Sequence, residues 1–425
     1  MRIAFGFDIF YPETNGVITA TINLAKNLMD LGHEVYFFVP KDKGFTDNTI
    51  EGGIHIIHVP AVQLFVYKGI KALPVYGWYL QKYFRKYHFD IIHDTSPWLL
   101  CQALNHAARR MHVPVLATHH TLIDNPIYIK YALKSTVLAN TAQSAIWNII
   151  FFPFFRLVWM ITAPNKGTCL HVSSHVPNKD VRFISNGIDI SRYDDSKPVL
   201  PLPAQIPISW ASRNTLVYVG RLGYEKAVDV VIASFSLVVK THPSAKLLIV
   251  GQGPAEEGLK EQARNLGIND SVLFTGLIPN DQIIQSRLLG KVNSFVTASL
   301  SENQAMTVIE ALCSGCPVIC ARVQNMIDLV DSDAGWFFNP GEEHSLEKAM
   351  SDALDDPIGR DAKALRAKAA LTRFDGRIVT EQFLKLYEEL LEMKRNGYYV
   401  PGGEIRASMT LMKIAKQDSK AKKST

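Results

Sequence analysis

Short apolar runs alternate with amphipathic stretches along almost the whole chain. Arg2 to Phe7 reads as a strand ending near Asp8, and Tyr11 to Val17 follows as a loop. Ile18, Ile22, Ala25, Leu28 and Met29 then recur at helical spacing until Leu31-Gly32-His33 stops them, and Val35 to Val39 is a second apolar strand. Asp90 to His93 and Pro114 to Ala117 are further strands of the fully buried type, and Cys169 to Val172 and Val181 to Ile184 close this first series. Pro198, Pro201, Pro203 and Pro207 mark a linker. A second alternation runs from Thr215–Val219 through Lys246–Val250 and Ser271–Gly276 to Gly335–Phe338, and Ile378 to Met393 reads as a long amphipathic helix. Strand, loop, helix, strand, repeated twice, predicts two doubly wound α/β units. The expected division is 1–195, a linker at 196–212, a second domain at 213–375, a returning helix at 376–398 and a basic tail at 399–425.

Composition narrows this picture. A chain of 425 residues exceeds one hydrophobic core, and 47% hydrophobic content with charges of both signs describes a folded protein. Net charge +5 and a pI near 8.7 favour anionic partners such as phosphates, nucleic acid or anionic lipid. The five cysteines follow no disulfide spacing, and the Cys-x2-Cys within Cys313, Cys316 and Cys320 lacks a second ligand pair, so packing is expected rather than zinc. With a strand at the N-terminus in place of a signal peptide, a reducing cytoplasm is the expected compartment. Residues 145–163 form the most apolar run, but Pro153 and Arg156 fall near its middle, and a central arginine costs roughly 2.5–3.5 kcal/mol on insertion. A spanning helix is therefore rejected. Burial in the domain and insertion into one leaflet both stay open.

Candidate chemistry concentrates between Ser299 and Val318, where Glu302 and Glu310 stand eight residues apart. Met306, Ile309 and Leu312 recur at helical spacing, Ser301 is a candidate N-cap, and Gly315-Cys316-Pro317 ends the helix. Glu302 is then expected at the helix mouth and Glu310 two turns in on the same side, beside amides suited to an anionic ligand. The alternative is an amphipathic helix with two solvated glutamates. Arg221 and Lys226 flank the junction between a strand and the next helix, where a diphosphate would lie; a solvated pair is the plainer alternative. Gly16 would admit close backbone approach after the first strand. His119 and His120 follow a strand's carboxyl end, where such sheets bind ligands, although a lone histidine more often serves the core. Asp331-Ser332-Asp333 precedes Ala334-Gly335 and reads as a turn, and no metal site is expected.

Glu302-x7-Glu310 with Arg221-x4-Lys226, in this order and spacing, resembles the retaining GT-B glycosyltransferases of family 4. Asn186-Gly187-Ile188-Asp189 and the loop Pro12 to Val17 are similar to that family's turns, and the resemblance extends from Met1 to about Met393. It implies two Rossmann-like domains facing a cleft, and Arg221 and Lys226 on the donor diphosphate. It further implies Glu302 and His120 against the donor sugar, Glu310 on the ribose, and Gly16, Gln304 and Ala305 lining the donor site. The run Glu302-Asn303-Gln304-Ala305-Met306-Thr307 departs from the family's commoner Glu-Gly-Phe-Gly. Through Gln304 and Thr307 it is closer to the Glu-Thr-Gln-Gly-Leu-Thr of bacterial diacylglycerol glucosyltransferases. The implied donor is a nucleotide sugar, UDP-linked glucose by preference, with no metal cofactor. A soluble or polysaccharide acceptor, an epimerase of the same fold and a non-catalytic membrane module are the rivals.

Between Leu73 and Tyr87 the apolar Leu73, Tyr76, Leu80, Phe84 and Tyr87 share one helical stripe, with Lys71, Lys82, Arg85, Lys86 and Trp78 on the opposite side. Tryptophan among lysine and arginine is what a membrane interface selects. The expected partners are a nucleotide sugar, an anionic lipid surface at the cytoplasmic face, to which the chain binds peripherally, and a lipid acceptor; nucleic acid is not expected.

Overall fold

The structure is a computed structural model that describes residues 1–10, 16–41, 49–60, 62–63, 71–72, 77–120, 145 and 147–398. Its first sheet is built from apolar segments that read as continuous runs because helices cover both faces. These strands are β1 (Arg2–Gly6), β2 (Glu34–Pro40), β3 (Thr49–Glu51), β4 (Ile54–Val59), β7 (Ile91–Asp94), β8 (Val115–Thr118), β9 (Met160–Ala163) and β10 (Asp180–Phe183). They stand in the order β10-β9-β8-β7-β1-β2-β4-β3, parallel except for β3 against β4. A separate two-stranded pair joins β5 (Val62–Gln63) to β6 (Lys71–Ala72).

The second sheet comprises β11 (Thr215–Val219), β12 (Lys246–Val250), β13 (Val272–Phe274), β14 (Ser294–Val296), β15 (Val318–Ala321) and β16 (Gly335–Phe338). Its order, β13-β12-β11-β14-β15-β16, is parallel throughout. Two parallel-sheet, Rossmann-like α/β units are therefore present.

The helices that matter for the site are α1 (Gly16–Asp30), α2 (Gly77–Tyr87), α3 (Leu99–Arg110), α4 (Phe152–Leu157), α5 (Lys166–His175), α6 (Val228–Thr241), α7 (Asn280–Gln285), α8 (Met306–Cys313) and α9 (Gly376–Arg395). Cys169 to Val172, part of the first apolar series, lie inside α5 and not in a strand. The last helix, α9, crosses back to the first unit, where Val379, Phe383, Leu386, Tyr387 and Leu390 join Ile18, Leu24, Leu28, Phe5 and Phe37 in one core. Its start is pinned by Ile188 N donating to Phe374 O at 2.9 Å and Gly376 N donating to Ile188 O at 2.8 Å. A Cβ on Gly187 would lie 2.7 Å from Gly376 Cα, so the two segments touch through bare backbone.

Residues 147–163 pack into the opposite face of the first sheet: Trp147, Phe151, Phe154, Phe155, Val158 and Ile161 are buried with α2 and α3. Only Ile149, 71% exposed, stands out among the large apolar side chains of that run. Burial in the domain is the outcome, and no helix among the described residues is long and apolar enough to cross a membrane. Cys313, Cys316 and Cys320 are core residues of the second unit, and Ser332–Ala334 forms a single 3-10 turn.

Candidate active site

The carboxyl edge of the second sheet is shaped by glycine. A Cβ on Gly251 would fall 1.9 Å from Gly220 O, and one on Gly253 would fall 2.5 Å from Leu222 O. The loops after β11 and β12 thus pack backbone to backbone, fastened by Leu222 N donating to Gln252 O at 3.0 Å. This positions Arg221 and Lys226. Arg221 is 60% exposed and pairs with Glu225, while Tyr218 Oη donates to Arg221 O at 3.0 Å. Lys226 ends a 3-10 turn, Tyr224–Lys226, just before α6. Its Nζ lies 2.6 Å from Glu302 Oε1, with the two side chains 23% and 15% exposed. Burial, then the carboxylates of Glu302 and Glu225, push the Tyr218 phenol upward.

Glu302 does not sit at a helix mouth. Helix α8 begins at Met306, with Ala305 in the N-cap position and no side chain capping it, and the Ser301 hydroxyl is buried. Residues 301–305 stay in a loop because its polar groups are committed elsewhere. Asn325 Nδ2 donates to Glu302 O at 2.8 Å. Asn303 Nδ2 donates to His119 O at 3.0 Å, and Asn303 Oδ1 accepts from Thr168 Oγ1 at 2.8 Å and from Asn165 Nδ2. Gln304 Oε1 accepts from Asn186 N and its Nε2 donates to Ser185 Oγ, both at 2.7 Å. The Gln304 side chain is thus spent on a contact with the first unit, which leaves its backbone amide for the expected place beside the donor. Asn165, which also caps α5 by accepting from Thr168 N at 2.7 Å, and Asn303 were not singled out by sequence reasoning. For Asn303 the departure from the glycine common in the family at that position was the available signal; no local pattern marked Asn165.

Gly16 opens α1, and a Cβ there would come within 3.1 Å of Met306 Cγ. The N-termini of α1 and α8 therefore face one another across the cleft, each contributing the positive end of a helix dipole. Glu310 lies one turn inside α8, where it accepts from Asn280 Nδ2 at 2.9 Å. Burial pushes its carboxyl up to about 7 against the opposing pull of Asn280 and Arg192. Glu302 and Glu310 thus face different neighbours: Lys226 for the first, Asn280 and the Arg192–Tyr193 region for the second.

The two histidines separate. His119 is buried with its ring edge-on to Phe151 and Phe155, at 5.1 and 5.5 Å between centroids. His120 lines a cleft with His93, Thr118, Asn186 and Gly187, walled by Thr21 and Leu24 of α1 and Phe383 of α9. Burial, then neighbouring His119, push its imidazole down to about 3, so it is neutral near pH 7. His93 beneath it shares hydrogen bonds with Tyr387 Oη at 2.7 Å and Thr118 Oγ1 at 2.6 Å.

On the first unit, Trp78 is 63% exposed on α2, and Lys82, Arg85 and Lys86 are exposed on the same helix. Leu80 and Phe84 are buried on its inner side. The helix starts at Gly77, so Lys71 is not on its basic face; it belongs to the two-residue strand β6. Leu73, Tyr76, Pro12 and the lysines of the tail lie outside the described residues.

Two family models match this chain: Glycosyltransferase Family 4 over residues 14–192 and Glycosyl transferases group 1 over residues 208–371. Alpha-monoglucosyldiacylglycerol synthase of Streptococcus pneumoniae is 29% identical over 83% of this chain and 78% of its own length. The GDP-mannose-dependent alpha-mannosyltransferase of Corynebacterium glutamicum is 26% identical over 78% of this chain and 75% of its own. Among solved structures, Anabaena HepE in complex with UDP-glucose superposes with a TM-score of 0.67 at 18% identity, covering 92% of this chain and all of that one (100%).

Proposed function

This chain belongs to the family 4 glycosyltransferases of the GT-B fold, and from that premise we propose that it moves a hexose, glucose by preference, from a UDP-linked donor to a membrane lipid such as diacylglycerol, with retention of anomeric configuration. The donor diphosphate lies at the carboxyl edge of the second sheet, met by Arg221, Lys226 and the uncapped N-terminus of α8. Preorganised cations and amides stabilise charge as it develops on the leaving diphosphate, the role a metal ion plays elsewhere. Glu302, held by Lys226, offers a fixed acceptor to the hydroxyls of the sugar, and Glu310 offers one to the ribose. His120, neutral, donates or accepts a hydrogen bond on the first-domain side.

The observation that carries the lipid acceptor is α2, with an exposed tryptophan among three exposed cations on one side of the acceptor-facing unit. Each such cation contributes about 1 kcal/mol near an anionic leaflet. The protein then works as a peripheral enzyme at the cytoplasmic face. Incubation with radiolabelled UDP-glucose and vesicles containing diacylglycerol tests the whole reading, with and without chelator. The expected product is a glucosylated lipid formed equally well in the chelator. Label appearing only in a soluble glycan, or only as an epimerised nucleotide sugar, overturns the acceptor assignment.

A further inference from the structure

Four buried polar side chains form one chain of hydrogen bonds from the returning helix to the strand end that bears His120. Tyr387 Oη of α9 lies 2.7 Å from His93 Nδ1, and His93 Nε2 lies 2.6 Å from Thr118 Oγ1. Thr118 Oγ1 lies in turn 2.7 Å from Thr162 Oγ1. None of the four residues is more than 3% exposed. They come from α9, β7, β8 and β9, so the chain ties the last helix to three neighbouring strands of the first sheet.

The chain has a direction. Burial, then neighbouring His120, push the His93 imidazole down to about 3, so the neutral ring carries one donor and one acceptor. Burial also pushes the Tyr387 phenol well above its ordinary range, so it keeps its proton. Either direction leaves one terminal hydroxyl without an acceptor in the chain. The phenol is the more acidic end and the better donor, which sets the order. Tyr387 donates to Nδ1, Nε2–H donates to Thr118, and Thr118 donates to Thr162. The His93 ring itself is clamped between Phe5 and Phe383, with centroids 5.0 and 5.2 Å away. What the Tyr387 hydroxyl controls is therefore the tautomer of that ring rather than its place.

The far end of the chain lies under the site. Thr118 and Thr162 are register partners on adjacent strands, and His119 N donates to Thr162 O at 2.7 Å. His93, Thr118 and His120 line the same cleft. With the Nδ1–H tautomer, Nε2 would accept from Thr118 and turn its hydroxyl away from Thr162. We propose that Tyr387 is a positioning residue for His120: its hydroxyl fixes the Nε2–H tautomer of His93, and the ordered Thr118–Thr162 pair holds the strand end from which His120 follows. Its consequence for turnover rests on the role given to His120 above.

The test uses the full chain with isotope-labelled histidine and compares wild type, Tyr387→Phe and Leu390→Val. The last trims the same core on the same helix without touching the chain of hydrogen bonds. Magnetic resonance reads the His93 tautomer and the His120 ring signals. UDP release from UDP-glucose and UDP affinity are measured alongside. The expected result is an Nε2–H tautomer in wild type. Tyr387→Phe loses that tautomer, displaces the His120 signals and slows UDP release about tenfold at unchanged UDP affinity, while Leu390→Val does none of these. An Nδ1–H ring in wild type overturns the proposal. So do His120 signals that stay in place in Tyr387→Phe, or that move equally in Leu390→Val. His120 signals that move in Tyr387→Phe alone, with UDP release at the wild-type rate, uphold the positioning by Tyr387 and instead remove His120 from the sugar.

Discussion

Lys226 Nζ lies 2.6 Å from Glu302 Oε1, joining the loop after β11 to the loop after β14 across the carboxyl edge of the second sheet. The pair is half-buried and falls where the proposed sugar diphosphate sits, so each member sets the other's position. Lys226→Ala or Arg221→Ala is expected to lower kcat by about 100- to 1,000-fold with the fold intact, the usual effect of losing one preorganised donor. Glu302→Gln is expected to slow transfer with little change in affinity for UDP. Steady-state kinetics check this, and turnover within threefold of wild type for both cation variants rejects the diphosphate assignment.

Glu310 predicts a pH signature. Its carboxyl is raised from 4.5 to about 7 by burial. A raised carboxyl favours the protonated native state, so this contribution is fully present below about pH 4.5 and is lost as pH climbs through 7. Glu310→Gln removes the ionised form, and the variant is expected to gain on wild type between those limits by about 2–3 kcal/mol. Denaturant midpoints at pH 5 and pH 8 measure the gain, and a difference independent of pH refutes it. The same variant is expected to bind UDP more weakly by calorimetry.

Asn303 ties the loop of Glu302 to His119, Asn165 and Thr168 of the first unit. Replacing it by alanine removes these bonds, worth about 1 kcal/mol each. Asn303→Ala is expected to widen the cleft, read as a larger radius of gyration in solution scattering, and to raise KM more than it lowers kcat. Identical scattering and kinetics dismiss the latch.

Lys82→Glu/Arg85→Glu is expected to release the protein from anionic vesicles at low salt, and 0.5 M salt is expected to do the same to wild type. Flotation gives the result directly. Wild type that stays in the soluble fraction at low salt ends the lipid-acceptor reading.

Most of the fold was legible because its strands are apolar on both faces and its helices repeat at a clear period. The site was legible only in part. Arg221 and Lys226 fall where a strand-to-helix junction puts them. Ser301 misled, since a serine shortly before a helical repeat imitates an N-cap, while the true start of α8 is fixed by Asn303 and Gln304 reaching the first unit. Their partners stand 135 and 118 residues away or more, a separation that no local pattern carries. Lys71 was counted with α2 for the same reason: helical periodicity extends through residues that pair as a strand.

Helix α9 carries a consequence for how the molecule is made. Five of its side chains complete a core most of whose other members come from the first 60 residues of the chain, among them Phe5, Ile18 and Val39. During synthesis the first unit is thus missing a wall until α9 has been made, while every described strand of the second sheet has already emerged by Phe338. Domains ordinarily fold in the order in which they leave the ribosome. Here the order is reversed, with the later half able to close first and the earlier half waiting, its apolar face open, for the chain to come back.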